Sequence, residues 1–286
     1  MRVFVLILIC VAGLGLRVDQ AWQGSGENLD DSAAYERIAR GLHEEGAFRQ
    51  VGPGTPVHPQ PASNYSPGLP LFAGGVFELV GDDDVRLVRI LLALISAAAI
   101  PIVFLIGRRL SGPTAGLTGA AVIAFYPPLV TNSGMLLTEP LAGTLLAGGV
   151  LAILKARDSG ALVTWLVAGV LLGMATMVRP EYLIICFCLA AVLVLMEVRG
   201  GIRHAVLPVG VMTLALLVVI APWTIRNVNE YGRVVPLSTG GGQTLYSGSY
   251  LPSGGNPTKV MPDLLRDHPG LLAEICLLYT SDAADE

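Results

Sequence analysis

The stretch VRLVRILLALISAAAIPIVFLIGRRL, residues 85–110, decides the class of fold. Residues 87–107 within it are almost entirely apolar, and the run ends at Arg108 and Arg109. An α-helix needs about 20 predominantly apolar residues to cross the hydrocarbon core of a bilayer. The stretch therefore predicts a membrane-spanning helix, and similar runs recur along the chain.

The composition is typical of a membrane protein. Of 286 residues, 53% are hydrophobic and 14% are charged, and the mean hydropathy is +0.64. Soluble domains carry about 25% charged residues. The formal net charge of -4 is small and spread along the chain, which argues against a nucleic-acid partner. The 4 cysteines lack zinc-ligand spacing, and we expect no disulfide framework.

Seven apolar segments have the length and composition of membrane spans or come close to them. They are residues 3–21, 87–107, 114–133, 136–154, 161–178, 182–198 and 205–223. Residues 68–81 are too short to span and carry Glu78, so they predict a re-entrant or interfacial helix. The predicted fold class is all-α: a polytopic transmembrane helix bundle with amphipathic helices in its first extracytoplasmic loop.

The last residues, CLLYTSDAADE at 276–286, resemble the translation of a transposon-end adapter used in sequencing libraries. We exclude them from fold reasoning, as for any segment that is foreign to the native protein. The native sequence is then expected to stop near Ile275. Residues 1–275 are interpreted as the N-terminal part of a longer multi-span domain.

Positive charges between the predicted spans indicate the orientation, because Lys and Arg are retained on the cytoplasmic side. The turns after the second, fourth and sixth spans hold Arg108, Arg109, Lys155, Arg157, Arg199 and Arg203, whereas the opposite turns between spans hold only Arg179. The N-terminus is therefore predicted to be cytoplasmic. Residues 22–86 and 224–275 then form extracytoplasmic loops.

Two adjacent carboxylates, Asp30 and Asp31, fall in the first extracytoplasmic loop. Asp31 begins the pattern D-x-x-x-Y with Tyr35, and the residues that follow have the spacing of an amphipathic helix on the membrane surface. Asp also caps helix N-termini, contributing about 1 kcal/mol. A cap and a catalytic carboxylate both remain open at this position.

Three further charged residues are predicted to share that face. Glu139 lies in LLTEPLAG, where Thr138 could cap a helix and Pro140 suits its first turn. Arg179, in MVRPEY, and Arg226, in APWTIRN, lie near the membrane boundary. Guanidinium groups bind phosphate bidentately, so the two arginines suit a lipid-linked phosphate. Helix capping by Glu139 and simple anchoring by the arginines remain alternatives.

Several motifs occur together and in order along residues 1–255. They are D-x-x-x-Y-x-x-x-A, SPGLPLFAGGVFELVG, the opening stretch, LLTEPLAG, GMATMVRPEYL and APWTIRNVNEYGRVVPLSTGGGQTLYSG. With the predicted topology, they resemble the GT-C membrane glycosyltransferases. The resemblance is to the bacterial branch similar to protein O-mannosyltransferases and lipid A aminoarabinose transferases.

The resemblance implies an enzyme of the bacterial inner membrane that takes a hexosyl or pentosyl group from a polyprenyl phosphate on the outer face. It implies Asp31 as the catalytic carboxylate, with Asp30 second, and Glu139 as a further acidic site residue. Arg179 and Arg226 match basic positions near the donor phosphate. The acceptor is a lipid, a glycan or a protein, no cofactor is certain, and a divalent cation stays open.

Two other functional classes are weighed against this interpretation. A secondary transporter would place charged or broken-helix sites near the bilayer midplane, whereas the charges here gather at one edge. A non-catalytic membrane scaffold would leave these carboxylates and arginines without a shared purpose. The Gly-rich segment 232–257 lacks a G-x-G-x-x-G between a strand and a helix, so a nucleotide cradle is not predicted.

Overall fold

The computed structural model describes residues 1–24, 30–51, 62, 64–197, 202–240, 249 and 266. The chain divides into two compact units, Met1–Ser238 and Thr239–Glu286. Only residues 239, 240, 249 and 266 of the second unit are described. The predicted adapter tail at 276–286 and most of the predicted loop at 224–275 therefore lie outside the described residues.

The described part of the first unit is built from α-helices, which confirms the predicted all-α fold. They are α1 (Arg2–Gln23), α2 (Asp30–Glu45), α3 (Gly68–Val80), α4 (Val85–Ser111), α5 (Pro113–Phe125), α6 (Pro127–Thr131), α7 (Thr138–Ser159), α8 (Leu162–Val178), α9 (Tyr182–Glu197) and α10 (Ile202–Tyr231). A short 3-10 turn, Asn132–Gly134, follows α6. Helix α2 is the amphipathic helix predicted after the first span.

Four helices in the described part are long and apolar enough to cross a membrane: α1, α4, α7 and the segment Val206–Tyr231 of α10. Helix α5 makes a fifth if it forms one bent span with Pro127–Gly134. Helices α8 and α9 are apolar but shorter. The chain is a multi-pass membrane protein. The seven segments predicted as spans are largely helical where described, with one break inside 114–133, and the number of crossings stays a prediction.

Helix α4 shows why the opening stretch forms a long helix. The side chain of Asp84 caps its first turn by accepting a hydrogen bond from the backbone N–H of Arg86 at 2.8 Å. Gly112 ends the helix at φ 91°, a conformation that costs glycine little. Pro101 lies inside the helix without ending it. Neighbouring helices can re-satisfy the backbone groups that a proline leaves free.

The third predicted span, 114–133, is broken in the structure. Its two halves meet at a bend of 54°. Tyr126 separates them in an extended conformation, and Pro127 and Pro128 follow. A residue before proline is driven away from the α conformation, and proline has no N–H to continue a helix ladder. The predicted continuous helix is corrected to a helix, a break and a short helix.

A fully buried arginine, Arg17 of α1, binds the backbone at this break. Its Nη1 and Nη2 donate to the carbonyl oxygens of Ala124 at 2.9 Å and Ile123 at 2.6 Å, and its Nε donates to Ser96 Oγ at 3.0 Å. The last carbonyls of a helix have no partner within that helix, and a cation is favoured there. Arg17 thus satisfies the end of α5, an arrangement that hydropathy alone did not reveal.

Glycines allow close helix packing, as is typical of membrane bundles. A Cβ on Gly169 of α8 would lie 2.1 Å from the carbonyl oxygen of Met212 in α10. A Cβ on Gly107 of α4 would lie 2.9 Å from the Cα of Gly116 in α5. Larger residues at Gly169 or Gly107 would force these helix pairs apart.

Helices α2 and α3 pack on each other and on one end of the bundle. Ala39 of α2 and Phe77 of α3 are fully buried in one cluster with Val178, the last residue of α8. Gly68, the first residue of α3, lies so near α8 that a Cβ would sit 2.7 Å from the backbone nitrogen of Val178. We call this end of the bundle, where α7 begins and α8 ends, the site end.

Candidate active site

Asp31 lies at the site end, in the first turn of α2, and is exposed. The next residue ties this turn to the bundle: the backbone N–H of Leu136 donates to Ser32 Oγ at 3.0 Å. The helix begins at Asp30, whose side chain lies outside the described part. Because a carboxylate in the first turn complements the helix dipole, the capping alternative and the catalytic one both remain compatible with this placement.

Arg179 joins two carboxylates at the same end. Its Nη1 donates to Glu139 Oε1 at 3.0 Å, and its Nε donates to Glu181 Oε1 at 2.7 Å. The side chain of Arg179 is 32% exposed, against 41% for Glu139 and 53% for Glu181. Burial alone lowers the pKa of Arg179, but the hydrogen bonds and charges of Glu181 and Glu139 outweigh it, so the pKa is raised.

Thr138 does not form the side-chain cap expected from the sequence. Helix α7 begins at Thr138 itself, and Leu137 is the capping residue, with no side-chain hydrogen bond. The hydroxyl of Thr138 instead accepts a hydrogen bond from Arg179 Nη1 at 3.3 Å. The start of α7 therefore offers Arg179 two oxygen partners, one from Thr138 and one from Glu139.

Tyr35 connects Asp31 electrostatically to this cluster. Burial raises the pKa of Tyr35, a hydrogen bond with Ser66 lowers it, the charge of Asp31 raises it and the charge of Arg179 lowers it. Ser66 Oγ also donates to the carbonyl oxygen of Val178 at 2.7 Å, next to Arg179. The charges of Asp31 and Arg179 therefore both act on Tyr35, and Arg179 is in turn hydrogen-bonded to Glu139.

The hydrogen bonds that hold the region of α2 against the bundle, made by Ser32 and Ser66, were not predicted. The D-x-x-x-Y spacing identified Tyr35, but nothing in the sequence distinguishes Ser32 and Ser66 from other loop serines. Each is significant because of a hydrogen bond to a backbone group more than a hundred residues away along the chain.

Arg226 has different surroundings. Its guanidinium carbon lies 5.1 Å from the ring centroid of Trp223, 5.6 Å from that of Tyr231 and 5.9 Å from that of Phe48. Its Nη1 donates to the Tyr231 hydroxyl at 3.1 Å, and its Nη2 lies 3.7 Å from Glu230 Oε2. We call the three rings the aromatic box.

Arg226 was expected just beyond the last span, but α10 continues to Tyr231 and contains it. Among the described residues, no hydrogen bond or ion pair joins Arg226 to the Arg179 cluster. The nearest structural link is α2, because Tyr35 lies beside the cluster and Phe48, a few residues after the helix ends, lies in the aromatic box. The part of the chain that the structure describes contains no group of three or more His, Cys, Asp or Glu side chains placed to hold a metal ion.

A family model described as dolichyl-phosphate-mannose-protein mannosyltransferase matches residues 58–225, more than half of the chain. The match includes Glu139 and Arg179, while Asp30, Asp31 and Arg226 lie outside it. No curated protein sequence matches the chain significantly.

Solved structures of an archaeal oligosaccharyltransferase share the fold. AglB from Archaeoglobus fulgidus, in complex with an inhibitory peptide and a dolichol-phosphate, has a TM-score of 0.64 at 14% identity. The match covers 99% of this chain and 38% of the archaeal one. The A. fulgidus enzyme tethered through a disulfide bond to an acceptor peptide containing the NVT sequon has a TM-score of 0.65 at 14% identity, covering 97% of this chain and 38% of that one.

This likeness confirms the GT-C fold that the motifs implied. The chain spans well under half the length of these structural relatives. A shared fold carries no activity by itself, which has to be argued from the site.

Proposed function

The chain belongs to the dolichyl-phosphate-mannose-protein mannosyltransferase family, and from this we propose that it moves a sugar from a polyprenyl-phosphate donor to an acceptor. The acceptor is a lipid, a glycan or a protein, and the sugar is a hexosyl or pentosyl group. The observation that supports the proposal is the hydrogen bond from Arg179 to Glu139 at the site end, where the charges of Arg179 and Asp31 both act on Tyr35. This end offers a carboxylate and a guanidinium to a substrate held in the membrane.

In the proposed reaction an acceptor hydroxyl attacks the anomeric carbon of the donor sugar. The new C–O bond forms as the bond from that carbon to the phosphate oxygen breaks, and the bonding electrons leave with the phosphate. Asp31 accepts the proton of the attacking hydroxyl, acting as general base. Arg179 and Arg226 stabilise the negative charge that grows on the leaving phosphate. Asp30 is the second candidate for the base.

Glu139 is proposed to hold Arg179 in position. A phosphate that binds Arg179 bidentately displaces one of the two carboxylates, because Glu181 holds Nε and Glu139 holds Nη1, and each of these nitrogens belongs to one two-donor edge of the guanidinium. Glu181 is the more exposed of the two, at 53% against 41%, and lies in the turn between helices. We therefore assign Glu181 as the carboxylate that the donor phosphate displaces and Glu139 as the one that stays.

The topology is proposed on the loop charges. The N-terminus is cytoplasmic, seven spans cross the bacterial inner membrane, and residues 22–86 with 224–275 form the extracytoplasmic loops that carry the site. Residues 1–275 form the N-terminal part of the transferase domain, and 276–286 are the adapter translation. Orientation is testable by cysteine labelling from each side of sealed vesicles, at exposed positions such as Asp82 and Arg157.

The AglB structures support the proposed ligand classes. One holds a dolichol-phosphate with an inhibitory peptide, and the other holds a tethered acceptor peptide. A lipid phosphate as donor carrier and a protein as one of the three acceptor classes are consistent with those contents. A divalent cation is tested simply, by assaying transfer with a chelator and with added Mg²⁺ or Mn²⁺.

The decisive experiment measures sugar transfer from a labelled polyprenyl-phosphate sugar by the purified chain in lipid nanodiscs. Asp31→Asn should lower the transfer rate by about 10²-fold to 10⁴-fold, the usual contribution of a general base. Asp82→Asn, which changes an exposed carboxylate in the turn before α4, serves as the matched control and should leave the rate unchanged. Loss of transfer in Asp30→Asn with retention in Asp31→Asn would transfer the base role to Asp30.

A further inference from the structure

Arg89, in the second turn of α4, stands apart from the other arginines at the site end. Its Nη1 donates to the carbonyl oxygen of Gly134 at 3.3 Å, the long end of the hydrogen-bond range. Its Nε is buried, with no hydrogen-bond partner in the described part of the chain. A buried donor without a partner is costly and rare, so this one calls for an explanation.

The other arginines near this end have their partners. Arg17 donates to backbone carbonyls and a serine, Arg179 is shared between two carboxylates, and Arg226 lies in the aromatic box beside Glu230. Arg89 has no carboxylate within ion-pair distance among the described residues. A guanidinium with no counter-charge at a membrane boundary is expensive unless a ligand supplies one.

Arg89 is connected to the candidate site through the backbone segment that it contacts. Gly134, its hydrogen-bond partner, lies two residues before Leu136, whose N–H donates to Ser32 beside Asp31. Gly24, after the last residue of α1, approaches from the other side: its φ is 70°, and a Cβ there would lie 2.2 Å from Arg89 Nη1. Arg89 therefore lies where α1, α4 and the 3-10 turn meet, close along the backbone to the start of α2.

We propose that Arg89 binds the phosphate of the polyprenyl-phosphate donor. Arginine presents its donors in a planar fork that matches two phosphate oxygens, and the existing contact to Gly134 uses only Nη1. The residue as a whole is half-buried and its Nε is buried, so binding a ligand through the Nε edge requires a side-chain rotation. The inference rests on the proposed function and adds to Arg179 and Arg226 a cation that pairs with no carboxylate among the described residues.

The test measures binding rather than turnover. The purified chain, in nanodiscs of zwitterionic lipid, is titrated with short-chain polyprenyl phosphate, and binding is followed by the ³¹P chemical shift and by tryptophan fluorescence. Arg89→Gln should weaken binding by about tenfold or more, the effect of losing a hydrogen bond to a charged group. Arg89→Lys keeps the charge but not the fork, and should weaken binding by about three-fold to ten-fold.

Arg86→Gln is the matched control. Arg86 lies one turn earlier on α4, exposed, with its guanidinium 5.1 Å from the ring of Trp22. It should bind polyprenyl phosphate like the unsubstituted chain. If Arg89→Gln fails to fold, Arg89→Lys decides the question, because a charge-conserving change preserves the local electrostatics. Unchanged affinity in a folded Arg89→Lys and Arg89→Gln pair, or in Arg89→Lys alone when Arg89→Gln does not fold, overturns the proposal.

Two further titrations identify the source of the phosphate. Phosphatidic acid and inorganic phosphate carry the same headgroup chemistry without the polyprenyl chain. Competition by either at the same concentration as polyprenyl phosphate would mean a general anion site and overturn the donor assignment. Arg89-dependent binding of polyprenyl phosphate without any sugar transfer by the unsubstituted chain would instead contradict the proposed function while leaving the Arg89 site intact.

Discussion

Arg179 and Arg226 were predicted to do the same work, yet the structure surrounds them with opposite chemistry. Arg179 lies between Glu139 and Glu181, which fix its position but neutralise its charge. Arg226 lies against aromatic faces, which attract a cation without cancelling its full charge. An incoming phosphate must therefore compete with two hydrogen-bonded carboxylates at Arg179, whereas at Arg226 it competes with one carboxylate, that of Glu230, whose Oε2 lies 3.7 Å from Nη2.

The difference separates two ways of preparing a cation for an anionic ligand. Carboxylates orient a guanidinium through directed hydrogen bonds, and one of them has to leave. Aromatic rings restrain it by packing against its faces. The edge of Arg226 contacts the Tyr231 hydroxyl, the Asn227 amide oxygen and, at longer range, the carboxylate of Glu230. Three substitutions test whether this difference governs donor binding, and a fourth tests the link between α2 and Arg179; they follow in descending order of expected effect.

Arg179→Gln should have the largest effect. It removes the charge that we propose binds the donor phosphate, and it also leaves the carboxylate of Glu139 without its cation. Transfer should fall by about 10²-fold or more, as when a preorganised charge at a developing anion is removed. The measurement is the initial rate of transfer in nanodiscs. Arg233→Gln, at an exposed arginine after α10, is the control, and an equal fall there would refute a specific role for Arg179.

Arg226→Gln should have a smaller effect, about tenfold on donor affinity, because the aromatic box and α10 remain in place. Arg226→Lys should lose less, since an ammonium also binds over aromatic rings. Affinity for polyprenyl phosphate, measured as for Arg89, distinguishes the variants. A folded Arg226→Gln chain with unchanged affinity would reduce Arg226 to an anchor of the helix end, the alternative that its sequence position left open.

Glu181→Gln should act in the opposite direction. If Glu181 is the carboxylate that phosphate displaces, its neutralisation removes the competitor and should tighten donor binding by about two-fold to five-fold, in line with a partly exposed ion pair. Glu139→Gln is the comparison variant and should not tighten binding, because it loosens Arg179. Equal tightening by both variants would contradict the division of roles between the two carboxylates.

Tyr35→Phe should have the smallest effect at neutral pH, about 1 kcal/mol of stability from the hydrogen bond with Ser66. Burial raises the pKa of Tyr35 above its ordinary value, so the folded chain favours the neutral phenol. The contribution of the neutral phenol to the free energy of unfolding is fully present below the unfolded-state pKa of about 10, and it is lost as the pH rises through the folded-state pKa.

Thermal unfolding between pH 8 and pH 11 measures that loss. The unsubstituted chain should lose stability at the alkaline end more steeply than Tyr35→Phe. Parallel curves would show that Tyr35 does not link α2 to the Arg179 cluster through a buried phenol, and the electrostatic connection between Asp31 and Arg179 would lose its support.

Much of the fold was predictable because apolar length is a local property. The opening stretch became α4, and the other predicted spans became helices where described. The break at Tyr126 was missed, although Pro127 and Pro128 signalled it, because hydropathy averages over a proline pair. The end of α10 was missed for the opposite reason: Arg226 lowers the hydropathy while the helix continues to Tyr231.

The candidate site was predictable in part. Loop charges predict that Glu139 and Arg179 share one membrane edge, and the structure shows that the two side chains are hydrogen-bonded. The environments of Arg226 and Arg89 could not be predicted. The former depends on Phe48 and Trp223, far apart in the sequence, and the latter depends on the absence of a partner among the described residues, which only packing reveals.

The sequence by itself determined that this is an all-α membrane protein with charged residues at one edge of its bundle, because the bilayer imposes length and charge rules that each segment obeys alone. Only the tertiary structure decided which partner each charge has. Glu139 holds Arg179, aromatic rings hold Arg226, helix-end carbonyls hold Arg17, and Arg89 retains a buried donor without a partner in the described part of the chain. Such pairings depend on contacts between helices that are distant in the chain. The hydropathy of one segment does not indicate which other segments pack against it.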